Sequence, residues 1–84
     1  MRQRDNILVQ MEMLASLFAS PKVLTRLCQS CNVNMSRIDG LLRPMLASGL
    51  VNSESVDGQE VYSITEEGYR VYRDWLEIWR RLTL

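Results

Sequence analysis

Cys28 and Cys31 stand at the C-x-x-C spacing used by redox pairs and by half of a tetrahedral zinc site. The chain has no histidine and no third cysteine, so one copy cannot complete such a site, although two copies would bring four thiolates. Both cysteines share a helical stripe with Leu24 and Leu27, where small apolar side chains belong in a core, and packing is the leading reading. A disulfide, and with it a thiol sensor, is the chemical alternative. There is no glycine-rich phosphate loop and no clustered carboxylate pair; Glu66-Glu67 suits the first turn of a helix, whose dipole favours acids. Not an enzyme, no cofactor and no metal are the expectations. Tyr69, Tyr72, Trp75 and Trp79 could build a ligand cage or a stacking platform, but their helical spacing reads as an interface.

What remains is charge. Lysine plus arginine equals aspartate plus glutamate, 10 against 10, so the total does not single out an anionic partner. The placement is more informative. Up to Leu50, Arg2, Arg4, Lys22, Arg26, Arg37 and Arg43 face only Asp5, Glu12 and Asp39. Beyond it, Glu54, Asp57, Glu60, Glu66, Glu67, Asp74 and Glu77 outnumber Arg70, Arg73, Arg80 and Arg81. The first half is basic and the second acidic.

The elements that must position these groups fit one domain, 1–84, small enough that oligomerisation is a natural source of stability. The apolar run near the start superficially resembles a signal peptide, but Gln10 and Glu12 interrupt it and helical periodicity accounts for it. No run approaches membrane-spanning length, and a cytoplasmic location without a membrane partner is expected. Helix one, about 6–19, is capped by Asp5 or Asn6 and carries a core stripe of Ile7, Met11, Leu14 and Phe18. Val9 and Met13 fall nearly opposite that stripe and are expected to face a partner. Ser20-Pro21 reads as the start of helix two, 21–30.

After a turn at Asn32-Val33, Asn34 caps a third helix, 34–48, with Ile38, Leu41, Leu42, Met45 and Leu46 inward and Gly49 as its stop. Its outward face is Ser36, Gly40, Arg43 and Ala47, flanked by Arg37 and Pro44. Pro44 predicts a bend, eased by Gly40 four residues back, or else a break near Arg43. Residues 50–64 form a two-stranded hairpin turning at Asp57-Gly58. Thr65 then caps a last helix, 65–82, whose apolar arc of Tyr69, Val71, Tyr72, Trp75, Leu76, Ile78, Trp79 and Leu82 is broader than one domain contact needs.

Two segments carry a family resemblance that spans about Asn6 to Leu82. Met45-Leu46-Ala47-Ser48-Gly49-Leu50-Val51 resembles the L-x-x-x-G-L-I/V exit of a recognition helix. Val61-Tyr62-Ser63-Ile64-Thr65-Glu66-Glu67-Gly68-Tyr69 resembles the Y-x-I/L-T-x-x-G passage from a wing into a final helix. Both recur in winged helix-turn-helix regulators of the MarR and PadR types and in small archaeal DNA-binding proteins that dimerise through a C-terminal helix. The resemblance implies an α+β, mainly α, winged helix-turn-helix: three helices, a hairpin wing and a dimerisation helix.

It also implies a homodimeric transcriptional regulator that binds double-stranded DNA, with the third helix in the major groove and any effector unknown. Ser36, Arg37, Gly40 and Arg43 would then meet the groove, and Lys22, Thr25 and Arg26 the phosphates. Val9, Met13, Val71, Tyr72, Trp75, Ile78, Trp79 and Leu82 would form the dimer interface. The wing departs from the pattern by offering Glu54, Asp57 and Glu60 in place of lysine or arginine. The competing reading is a winged-helix protein-interaction module with little affinity for DNA.

Overall fold

Asn6–Ala19 is apolar nearly all round, and it forms the central helix α1, against which the rest of the chain packs. The computed structural model describes residues 5–83. After α1 come β1 (Lys22–Val23), α2 (Leu24–Cys31), α3 (Met35–Ala47), β2 (Val51–Val56), β3 (Gln59–Ile64) and α4 (Glu66–Thr83). The architecture is the mainly helical α+β arrangement expected, with one core built from α1, α2, α3 and Val51.

The face that α1 buries differs from the expected one. Val9 and Met13 are fully buried, with Leu14 and Leu17 beside them, whereas Ile7 is 63% and Phe18 54% exposed. Val9 and Met13 therefore have no surface to offer a second chain; they are core residues of this one. Contacts from α2, α3, β3 and α4 all converge on α1, and a helix that is apolar on several sides has no period strong enough to say which side wins.

Helix two also starts later than 21. Ser20 is extended (φ −170°, ψ 151°), and Lys22 and Val23 pair antiparallel with Tyr62 and Val61. The result is a three-stranded sheet in the order β1-β3-β2 in place of a lone hairpin. The ladder satisfies backbone groups that a cap at Ser20 would otherwise have served, and α2 begins at Leu24 with no side-chain cap.

Both exits around α3 use one device. At the end of α2, Asn32 is left-handed (φ 55°). Val33 N–H then reaches back to the Cys28 carbonyl (3.2 Å) and Asn32 N–H to that of Gln29 (3.3 Å). At the end of α3, Gly49 (φ 79°) plays the same part, with Leu50 N–H on Met45 (2.9 Å) and Gly49 N–H on Leu46 (3.2 Å). These are paired Schellman closures, in which a left-handed residue turns the chain while orphan carbonyls are satisfied. Asn34 caps α3 as expected, its Oδ1 accepting from Arg37 N–H at 2.9 Å. Despite Pro44, α3 is continuous from Met35 to Ala47. Asp57 (φ 51°) and Gly58 (φ 79°) make the predicted hairpin turn.

The junction into α4 is tight. The Thr65 hydroxyl accepts from Gly68 N–H (3.0 Å) and lies 2.6 Å from the Gly49 carbonyl, while Thr65 N–H donates to Leu50 (3.1 Å). One side chain thus caps α4 and ties it to the exit of α3.

Candidate nucleic-acid interface

Ile38, Leu41, Leu42 and Met45 anchor α3 in the core, and this burial fixes which of its side chains look outward. Ser36, Gly40, Arg43, Pro44 and Ala47 are exposed, as the wheel predicted. A Cβ added at Gly40 would meet nothing within 4 Å, so the glycine is not demanded by packing and leaves an open, shallow stretch of helix. Pro44 has no N–H to give the Gly40 carbonyl, which sits on that same open face.

One tie steadies this region from behind. Gln10 of α1 donates its Nε2–H to the Leu41 carbonyl at 3.1 Å, one turn before the proline. In the sequence Gln10 is only an interruption in an apolar run. A side chain that bonds another helix's backbone leaves no periodic signal.

The basic residues separate into different roles. Arg43 is exposed and its Nε–H donates to Asp39 Oδ2 at 3.2 Å, one turn back along α3. Arg37 is half-buried and donates from Nη2 to Asn6 Oδ1 at 3.2 Å, linking α3 to the start of α1. Lys22 lies on β1, and its ammonium donates to the Ser16 and Ser20 carbonyls and to Ser20 Oγ at the end of α1, where a cation suits the helix dipole. Thr25 and Arg26 are exposed on α2. The structure therefore groups Ser36, Gly40 and Arg43 on one face, while Arg37 and Lys22 are turned to ties within the chain. Arg2 and Arg4, part of the basic half, lie outside the described residues.

The wing stands beside the start of α3. Val23, Leu24, Thr25, Met35, Gln59, Glu60 and Tyr62 line an open groove of about 310 Å³ between them. Met35, to which the sequence assigns no role, is 46% exposed on this rim. Burial pushes the Tyr62 hydroxyl above the ordinary tyrosine value, helped by the negative charges of Glu60 and Asp39 and opposed by Arg43. The patch around Tyr62 thus feels the charges of Glu60 on the wing and of Asp39 and Arg43 on α3.

The thiols play no visible part in that patch. Cys31 is buried in the core and Cys28 is half-buried, both as thiols. Burial raises the Cys28 thiol above its ordinary value against a smaller lowering by a backbone hydrogen bond, which disfavours the reactive thiolate. Among the described residues no three histidine, cysteine or acidic side chains gather to hold a metal ion, and no helix is long and apolar enough to cross a membrane.

On the other side of the molecule α4 leaves the domain. Gly68 is buried and Val71 and Tyr72 pack against the core, whereas Ile78 (57%), Trp79 (49%) and Leu82 (79%) are exposed. Trp75 is half-buried and stacks on Trp79, with ring centroids 5.4 Å apart. Phe18 stacks on Tyr69 at 5.2 Å and tilts against Tyr72 at 5.9 Å, which explains its position outside the core. The opposite face carries Arg70 with Glu66 and Glu67, and Glu77 with Arg80 and Arg81.

Comparison with known proteins gives a consistent result. The profile of a family described as winged helix-turn-helix matches residues 3–82. No curated protein sequence matches. Among solved structures, the transcriptional regulator BldR from Sulfolobus solfataricus superposes with a TM-score of 0.82 at 22% identity, covering 89% of this chain and 56% of its own. The chain thus spans little more than half of that regulator. The DNA-binding protein Sso10a-2 from Sulfolobus solfataricus gives 0.76 at 18% identity, covering 94% of this chain and 85% of its own. The homodimeric DNA-binding domain Mb0332 from Mycobacterium bovis gives 0.74 at 15% identity, covering 83% and 66%. At these identities the likeness is one of fold.

Proposed function

The chain belongs to the winged helix-turn-helix family, and from that premise we propose that it is a homodimeric transcriptional regulator that binds duplex DNA with α3 in the major groove. The observation that carries this reading is the outward face of α3, where Arg43 stands among Ser36, Gly40 and Ala47 and, among the described residues, nothing lies within 4 Å of where a Gly40 Cβ would be. Small side chains admit a helix to the groove and a guanidinium supplies the contact. Thr25 and Arg26 on α2 reach toward the phosphates. Arg37 contributes from the flank, at the expense of its bond to Asn6. No catalytic step enters this reading.

Salt dependence tests it. If a dimer meets about six phosphates, log affinity falls with log salt at a slope near −5. A fluorescence-anisotropy titration of duplex at several salt concentrations reads the slope directly, and no binding at low salt would exclude DNA as the partner. One observation favours a second reading in that event. Residues 51–64 contain no lysine or arginine, while Glu54, Asp57 and Glu60 are exposed, so the wing adds repulsion instead of phosphate contacts and would suit a protein partner.

The dimer is proposed to form along α4, through Trp75, Ile78, Trp79 and Leu82 with Val71 and Tyr72 at its base. An 18-residue helix extends about 27 Å, and the exposed apolar end is the part its own domain does not cover. A twofold pairing there sets two α3 helices on successive turns of a near-palindromic site. Trp79→Glu is expected to convert the dimer to a monomer of unchanged helicity, read as mass by light scattering across a dilution series; a wild-type monomer at micromolar concentration would remove the interface.

A further inference from the structure

The patch between α3 and the wing contains an acid where a DNA-facing surface gains nothing from negative charge. Asp39 holds Arg43 in a pair whose side chains are 45% and 76% exposed. A pair so open to water adds little to stability, so folding does not account for it. Its geometry does suggest a use. Asp39 engages Nε alone, and the terminal nitrogens Nη1 and Nη2 donate to nothing among the described residues. Those two nitrogens form the fork that matches O6 and N7 of guanine.

We propose that Asp39 is a positioning residue that braces Arg43 through Nε, so that its Nη1/Nη2 fork reads a guanine in the major groove. The inference rests on the DNA-binding reading and deepens it by naming the base. A braced guanidinium loses less rotamer freedom on binding, and the pair strengthens as the groove expels water. Glu60 and Tyr62 of the wing line the open groove beside the start of α3, and Tyr62 feels the charge of Glu60 together with those of Asp39 and Arg43. The cost is that Asp39 repels the DNA backbone, so the brace exchanges general affinity for base selection.

That exchange makes the test specific. Wild-type protein, Asp39→Ala and Arg43→Lys are each used to select from a pool of duplexes with a randomised centre, and each is titrated against a duplex lacking the selected site. In Asp39→Ala, preference for guanine at one position per half-site is expected to fall about tenfold, while affinity for the non-selected duplex rises severalfold. Arg43→Lys keeps the charge and loses the fork, so it should show the same loss of preference without the gain. Asp39→Glu, able to span the same turn of helix, should restore most of the preference. Undiminished guanine preference in Asp39→Ala would overturn the brace and leave Asp39 a mere repulsive charge. Wild-type binding without any base preference would overturn it too, leaving non-specific DNA binding intact. Absence of binding at low salt would instead remove the DNA reading on which the inference rests. Circular dichroism melts of all variants confirm that folding is unchanged.

Discussion

Gly68→Ala is expected to cost ~3 kcal/mol, the upper end for an overpacked site, and to lower the melting temperature by roughly 12 °C or more, a large share of the about 4–13 kcal/mol that holds a domain of this size. The reason is a close approach of backbone, not backbone flexibility. A Cβ on Gly68 would lie 2.0 Å from the Leu50 carbonyl oxygen and 2.9 Å from Ile64 Cγ1. Neither the exit of α3 nor the N-terminus of α4 can retreat, because Thr65 hydrogen-bonds both. Gly40→Ala is the matching control: it meets nothing within 4 Å in a helix interior, and alanine should raise stability there by about 0.5–1 kcal/mol. The two thermal melts therefore move in opposite directions. Equal and small effects would mean that α4 does not dock as described.

Met13→Glu should be the more damaging charge substitution of two that sequence reading placed in one interface. Met13 is fully buried in the core, and a carboxylate there has no partner and no water. The expected loss is ~4 kcal/mol or more, seen as an unfolded or aggregated chain by circular dichroism. Trp79→Glu, on an exposed ring, is expected to leave the fold intact and to remove only the proposed partner. Met13→Leu preserves volume and should cost less than about 1.5 kcal/mol. A folded, monomeric Met13→Glu protein would show instead that this face of α1 is a surface between chains.

These substitutions mark where sequence reading reached its limit. The buried face of α1 is not legible in sequence because Ile7, Val9, Met11, Met13, Leu14, Leu17 and Phe18 cover most of its circumference, and any stripe among them is helical. Only the position of four neighbouring elements selects the buried one. By sequence Lys22 and Arg37 are cations available to a ligand; that one bonds carbonyls at the end of α1 and the other Asn6, thirty-one residues away, leaves no periodic signal. The outward face of α3 was read correctly. Ile38, Leu41, Leu42 and Met45 fall on one side and are buried, which fixes the face opposite them.

The Y-x-I-T-x-x-G segment was recognised as a pattern before its physics was visible. Threonine is there because one hydroxyl serves two helix ends, and glycine because a carbonyl occupies the space of its Cβ. What the amino-acid sequence determined by itself was the order of elements and their punctuation: Asn34 and Thr65 as caps, Gly49 and Asp57-Gly58 as turns, and Ser36, Gly40 and Arg43 turned outward. Each of these depends on residues within a turn or two of one another, where backbone dihedral preferences and helical period act directly. Tertiary structure decided the rest. The third strand, the buried side of α1, the seat of Gly68 and the separation of Arg43 from Arg37 all arise from contacts between segments distant in sequence, and their residues acquire a role only once those segments have met.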